Sequence, residues 1–529
     1  MKKLILYFYI LCTIVAGFGC KDFLFEEHEV RPTTDFLFST PEGLSRAVTA
    51  MYSSAREILY EGEAGHWVGM DLGTDIILYR GGTASALGTY SASLTPSQEN
   101  VKYIWEYFYF LIGRANEIVY YAEKNMNMED PVVKQAVAEA KSFRAESYFY
   151  LIRKFDKVWL NTVPTTPENY DDPRDFTPDD TKVFDLMYED LDYAIETLGL
   201  TTVQTGRYTK GAARHIKAKV ALWKKDWDEA IRQVDAIKAS NVYALMPEPK
   251  DVFNAANLNH KEAILTFQCE RGPGGGGSST GAGHRMSLIF TPAYGSEPGM
   301  KWSYDYGCYG WGRIYPNSYL LNKFDKTNDK RYNQYFAHEY FYNNPATLPA
   351  GKKIGDKVDF VTATYLTRGG HTHCTKFTDY AYTTIDPSAT TSFKDVIKYR
   401  LAETWLMGAE AYFHKNGGND ANAKWYFSEV RKRAGLGEFT GTLTLDDILD
   451  EHAKELLFEG DRWFMLKRLG LLVERVKLYA GDTRAIAVQQ DFLEARNNIK
   501  DFHVRWPIPQ SARDQMGDAF PQNTGYEAQ

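Results

Sequence analysis

Cysteine is scarce in this chain, with five among 529 residues. Cys12 lies in the apolar stretch at the start and Cys20 directly after it, which leaves Cys269, Cys308 and Cys374 for the body. So sparse and odd a set is not a disulfide framework, although one bridge among the three is open, and stability must come from core packing. Beyond the first twenty residues no run approaches the length of apolar sequence that a membrane-spanning helix needs, so no later span is expected. Positive charge is in deficit, with 61 Lys and Arg against 69 Asp and Glu, a net charge of −8. The absence of a basic patch argues against nucleic acid or an anionic membrane surface as partner. A metal-ligand set is lacking too. His371-Thr372-His373-Cys374 places ligand-type side chains at alternate positions, but a metal needs a further donor from elsewhere, so packing and hydrogen bonding are the reading. No metal or cofactor is expected.

What is present begins with an address. Lys2 and Lys3, the apolar run Leu4 to Phe18 and the small residues of Gly17-Phe18-Gly19 have the three parts of a secretory signal. The run is too short and too early for a stable span. A cysteine just after the cleavage point resembles a lipoprotein signal, which makes Cys20 the acylated first residue of the mature chain. Removing residues 1–19 takes two lysines and no acids from the net −8, which leaves −10 on a 510-residue body. The expected product is exported, lipid-anchored and soluble beyond its anchor. Residues 20–39 read as the tether.

Residues 40–265 carry helical periodicity. Thr40-Pro41-Glu42 has an N-cap, a first-turn proline and an acid at the positive helix end, and predicts a helix to about Leu59. A second follows Ser97, and residues 60–96 between them read as loop. From 132 to 240 the helices come in pairs. The sharpest is Ala218 to Trp223, the turn Lys225-Asp226-Trp227, then Ala230, Val234 and Ile237, a tetratricopeptide-like pattern. A similar unit spans Leu401 to Phe413 and Ala421 to Val430. Residues 266–393 lose the period and hold a glycine run, Gly274 to Gly277, followed by many aromatics. Helix is expected again from Phe393 to about Tyr479, within a C-terminal region 394–529.

Several segments together resemble one family. They are Tyr399-Arg400-Leu401-Ala402-Glu403, Val430-Arg431-Lys432-Arg433-Ala434-Gly435-Leu436, and Glu455-Leu456-Leu457-Phe458-Glu459-Gly460-Asp461-Arg462-Trp463-Phe464. Pro507-Ile508-Pro509 and Gln522-Asn523-Thr524-Gly525-Tyr526 follow in order, while Cys20-Lys21-Asp22-Phe23-Leu24 and Phe143-Arg144-Ala145 match near the start. The chain is similar to the SusD/RagB family of outer-membrane nutrient-binding lipoproteins over essentially its whole mature length. The resemblance implies a mostly α fold, with tetratricopeptide-like helix pairs packed against a loop-rich lobe. It further implies a non-enzymatic, cell-surface protein of the outer membrane that captures a glycan, occasionally a peptide, and sits on a SusC-like TonB-dependent transporter.

Tyr and Trp are abundant, at 36 and 11 residues. A large core absorbs many of them, but tyrosine is also the ring most often left part-exposed. Trp302, Tyr304, Tyr306, Tyr309 and Trp311 stand in irregular sequence and are the main candidates for stacking on sugar rings, with about half expected to be packing residues instead. Trp67, Asp71, Asp75, Tyr79 and Arg80, in the first long loop, resemble a second contribution to the ligand face. The other motifs are blander. Gly277-Ser278-Ser279-Thr280-Gly281 fits a nucleophile elbow only because it lies in a glycine run without flanking strand and helix. Glu459 and Asp461 match a catalytic carboxylate pair in composition only, and an Arg–carboxylate cluster at a helix end is the better reading. A surface glycoside hydrolase or esterase, or a scaffold that binds only protein, are the alternatives.

Overall fold

The computed structural model describes residues 37–60, 72–79, 85–166, 169–170, 180–270, 283–307, 309–358, 372–378, 390–482, 490–517 and 520–527. Cys20, Trp67, Asp71, Arg80, Cys308, His371 and the Gly277–Gly281 motif lie outside these residues.

The frame is helical. In chain order its main helices are α1 (Pro41–Tyr60), α2 (Glu99–Asn125), α3 (Pro131–Phe155), α4 (Asp180–Thr197), α5 (Lys210–Lys224), α6 (Trp227–Ala239), α7 (Leu401–Asn416), α8 (Ala421–Arg433), α9 (Leu445–Glu455), α10 (Arg462–Arg468) and α11 (Leu472–Tyr479). Polar caps set many of the starts. Thr40 Oγ1 accepts from Gly43 N at 3.0 Å, and Asp130 ahead of Pro131 accepts from Val132 N at 2.8 Å. Lys225 adopts a left-handed conformation (φ 59°) and Asp226 caps the next helix, so the Lys225-Asp226-Trp227 turn folds α6 back on α5. Successive helices pack α2 on α3, α3 on α4, α4 on α5, α5 on α6, and α7 on α8. α6 also packs on α7, which bridges more than 150 residues of sequence and joins the late helix pair to the early ones.

Short strands pair in twos among the described residues: β1 (Ile77–Tyr79) with β3 (Ile314–Pro316), β2 (Ala263–Phe267) with β6 (Val396–Arg400), and β4 (Phe336–Ala337) with β5 (His373–Cys374), all antiparallel. Two of these correct the sequence reading. Helix does not resume at Phe393, because Val396 to Arg400 is a buried strand paired with Ala263 to Phe267, and α7 begins only at Leu401. Nor is the segment 60–96 all loop, since it contributes β1 and a short helix, Ser85–Thr89. In both places the partner strand is distant in sequence, and local periodicity cannot register it.

One cluster of buried apolar side chains runs from Leu44 to Tyr526 through every main helix. Charged residues stitch it. Arg144 on α3 donates to both oxygens of Asp190 on α4 (2.7 and 2.8 Å) and to Asn116 on α2, tying three helices together. Arg400 reaches Glu262, Glu455 and Glu459, while Arg331 holds Asp329, Glu451 and Glu455. All these groups are buried or nearly so, and buried guanidinium groups persist only where carboxylates answer them. The last motif is a clamp: Asn523 Nδ2 donates to the carbonyls of Phe155 and Trp506, each at 2.7 Å.

Candidate functional site

The aromatic stretch builds a lobe with a small core of its own, made of Tyr294, Met300, Tyr340, Tyr342 and Val358, with Trp302 and Tyr306 packed against it. Two tyrosine hydroxyls pin its loops. Tyr294 Oη accepts from Ser303 N (2.8 Å) and donates to Ser303 O (3.0 Å). Tyr306 Oη does the same with Phe341, accepting from its N–H at 2.7 Å and donating to its carbonyl at 3.2 Å. Asn343 adds a second clip, accepting from Lys301 N and donating to Lys301 O. Each side chain thus makes both halves of a strand-like backbone pair, and the rings are held at set angles.

Tyr294 is fully buried and serves as the floor. Trp302 stands edge-on to it at 4.8 Å, and Tyr309 leans on Trp302 at 4.6 Å. Tyr306 contacts both Tyr294 and Tyr340 at 5.2 Å. A side chain at Gly295 would overlap the Trp302 indole, so the backbone approach that seats this ring requires glycine. Trp302, Tyr304, Tyr306, Tyr309 and Trp311 are all half-buried. Trp311 lies near the guanidinium groups of Arg285 and Arg313, 5.8 and 5.7 Å from its ring centre. Such part-exposed, oriented rings with polar neighbours can stack on a flat apolar face while cations and amides meet hydroxyl groups.

The first loop joins this lobe through β1 and β3. Tyr79 pairs with Ile314, three residues after Trp311, so the two stretches singled out in the sequence adjoin in space. Tyr79 packs its ring against Gly88 and the main core. Asp75 is a correction. It is fully buried, and its oxygens accept from Arg462 at 2.6 and 2.9 Å and from Arg475 at 2.9 Å. Burial opposes its ionisation, but the two guanidinium groups outweigh that and hold its carboxyl below the usual range. It is a structural anchor rather than a ligand group. Asp75 also explains Arg462 of the C-terminal motif, whose other arm caps the Leu449 carbonyl at 2.8 Å.

The carboxylate motif is likewise structural. Glu459 is held by Arg400 and Lys376, and Asp461 by Arg153 and Lys219, so each acid serves a different pair of cations. His373 is buried beneath Tyr340, whose hydroxyl lies 2.7 Å from its Nδ1, and burial pushes its pKa down to about 3. Cys374 and Cys269 are buried, unbridged thiols, raised by burial to about 11 and about 12. Among the described residues no group of His, Cys, Asp and Glu is arranged to hold a metal ion. No described helix is long and apolar enough to cross a membrane.

Sequence reasoning passed over Tyr340 and Phe341. Phe341 is 40% exposed at the rim, anchored through its backbone to Tyr306. The signal was the run Tyr340-Phe341-Tyr342-Asn343-Asn344, an aromatic string without helical spacing.

A scaffold of paired helices carrying a lobe of oriented rings defines a binding protein of a known class. Residues 260–526 match the SusD family, and the chain belongs to it. Proteins of this family are non-catalytic. The chain is 24% identical to the SusD-like protein P25 of Formosa agariphila over 96% of each chain. Among solved structures it is similar to a SusD homolog from Bacteroides thetaiotaomicron, with a TM-score of 0.76 and 20% identity over 94% of this chain and 100% of that one. It is similar also to surface glycan-binding protein A from the same organism in complex with laminarihexaose, with a TM-score of 0.71 and 20% identity over 91% and 99% of the two chains.

Proposed function

We propose that this protein is a cell-surface lipoprotein that binds a glycan through the loop-rich region 266–393 and passes it to a TonB-dependent transporter of the outer membrane. The observation that carries the reading is the set of half-buried rings Trp302, Tyr306 and Tyr309, with Tyr294 against the first two, Tyr340 against Tyr306 and Tyr309 against Trp302. Support for a sugar comes from the similarity to a glycan-binding protein seen with laminarihexaose. Tyr79 and Trp311 flank the rings, and Trp67, Asp71 and Arg80 belong to the same proposed face. Tyr304 completes the sequence set.

The helix pairs supply an extended, rigid surface of the kind that binds proteins, and we assign them to the transporter. Cys20 is the proposed anchor, since two or three acyl chains hold a membrane far more durably than one. Retardation in gels containing single polysaccharides tests glycan binding, run beside an assay for reducing ends. Retention by at least one glycan without release of reducing ends is expected; no retention by any β- or α-glucan, xylan, mannan or pectin would overturn the reading. Extraction from the native host in mild detergent should bring down a large β-barrel protein. Cys20→Ala should leave the outer-membrane fraction after a high-salt wash.

A further inference from the structure

A cavity of about 360 Å³ lies apart from the aromatic lobe, between α1, α3, the loop before α5 and strands β2 and β6. None of the lobe's rings lines it. Its size falls within the range of small-molecule sites, about 300–1,000 Å³. Benzene fits an apolar cavity of about 150 Å³, so two fused rings have room here.

The inner walls are aromatic and aliphatic. Tyr52, Phe143, Tyr208, Leu265 and Phe267 supply them, and Phe143 stands edge-on to both tyrosines at 4.8 Å. The polar groups among them are already engaged. Tyr52 Oη accepts from Tyr208 N at 2.7 Å, and Tyr208 Oη donates to Glu146 at 2.6 Å. Lys398 donates to the same carboxylate at 2.5 Å, and Glu146 itself is buried. Arg207 is bound to Glu139 and to the Thr49 hydroxyl, which in turn donates to the Ser45 carbonyl. Gln268 exchanges two side-chain hydrogen bonds with Asn259, at 2.9 and 3.1 Å. Arg56 gives one Nη to the Gln268 carbonyl and the other to Ser53. Gly206 adopts φ +84°, and a side chain there would overlap Gln268, so the loop before α5 is shaped close against the strand. The exposed side chains of Gln204 and Thr205 border the cavity on that loop.

We propose that this cavity is a second binding site, for a small uncharged aromatic molecule whose rings enter among Tyr52, Phe143 and Tyr208 and whose one polar group stays at Gln204 and Thr205. Charge decides against an anion. A carboxylate would give up its water for cations that are each bonded already, Arg207 and Lys398 to carboxylates and Arg56 to a carbonyl. A cationic ligand would meet three like charges in the lining. The satisfied walls decide against a sugar, whose hydroxyls would find the inner donors and acceptors taken. What remains to be met is ring faces and edges, and an aromatic ligand gains both burial and ring contacts there. The site is separate from the glycan-binding lobe and stands without that reading.

The test is calorimetric titration of the full chain carrying Cys20→Ala, which needs no detergent to compete for the ligand. The probes are 2-naphthamide and 2-naphthoate, which match in size and differ in charge. The amide should bind, and the carboxylate should be weaker by roughly tenfold or more, because its charge would be buried without a new partner. Ser53→Trp, which fills the cavity from α1, and Thr205→Trp, which fills it from the exposed loop, should each weaken the amide by a similar factor. Thermal melts of both variants accompany the titrations; if Ser53→Trp does not fold, Thr205→Trp decides. Absence of amide binding up to its solubility limit, equal or tighter binding of the carboxylate, or undiminished amide binding to either folded variant would each overturn the proposal.

Discussion

Trp463 in the helical frame and Trp302 in the loop lobe are both clasped by other side chains, yet they end in opposite conditions. Trp463 is closed off from solvent, with Lys154 Nζ 3.7 Å from its ring centre and its Nε1 donating to Tyr90 Oη at 3.2 Å. Trp302 rests on Tyr294 and Gly295 and meets Tyr309, but stays half-buried. The frame spends its aromatic residues on packing, and the lobe uses a few buried ones to orient others that remain accessible. Stability should therefore reside in the first group and affinity in the second.

Acid should expose the difference most strongly, because several groups act together. His373 beside the lobe, His284, and His452 on α9 are buried and depressed from 6.5 to about 3, about 4 and about 4, so the unfolded chain takes up protons first. Their contribution is full above about pH 6.5 and is lost as pH falls toward 3 to 4. Glu410 and Glu451 in the frame are buried, which opposes ionisation, yet Arg468 and Arg331 hold each at about 2. That contribution is present above about pH 4.5 and is lost only as pH falls toward 2. Urea midpoints measured across this range should fall in two stages, the earlier from the histidines and the later from the carboxylates. A midpoint constant from pH 7 to pH 4 contradicts this.

Truncations in the frame come next. Trp463→Ala should cost about 3–5 kcal/mol of stability by leaving a cavity. Arg400→Ala should cost a similar amount, about 3–5 kcal/mol, by stranding Glu262, Glu455 and Glu459 without their shared partner. Denaturant titration measures both, and the folded fraction should retain its glycan affinity.

In the lobe, Trp302→Ala should instead lose about 1–3 kcal/mol of glycan affinity, by analogy with ring stacking on other flat ligands. Calorimetry beside a thermal melt separates the two readings, and a large drop in melting temperature with unchanged affinity would move Trp302 into the packing group. The smallest expected effect is Tyr306→Phe, which keeps the ring but breaks its bond to the Phe341 carbonyl. It should cost about 0.5–1.5 kcal/mol of stability, with affinity lowered only if the ring's angle matters.

Much of the frame was legible in the chain. Caps such as Thr40 and Asp226, and apolar spacing such as Ala218, Ala221 and Leu222, act within one or two turns, so helix starts and pairings could be read locally. The motif residues Arg400, Arg433, Glu455 and Arg462 were visible as a pattern, but their purpose was not. The arginines are counter-charges to Glu262 and Asp75, and Glu455 to Arg331, all of which lie far off in sequence. The stretch from Trp302 to Trp311 stood out by composition alone, while the role of Tyr340 depended on a contact with Tyr294 that no spacing announces.

Helices and their turns follow from the order of residues alone, because they rest on backbone bonds and contacts between near neighbours. Which polar and aromatic groups are buried was settled by packing between distant segments. Asp75 became an anchor because two arginines from α10 and α11 converge on it, and Trp302 stayed accessible because Tyr294 fills the space beneath it. Burial depends on what arrives from elsewhere in the chain, and no local pattern carries that information.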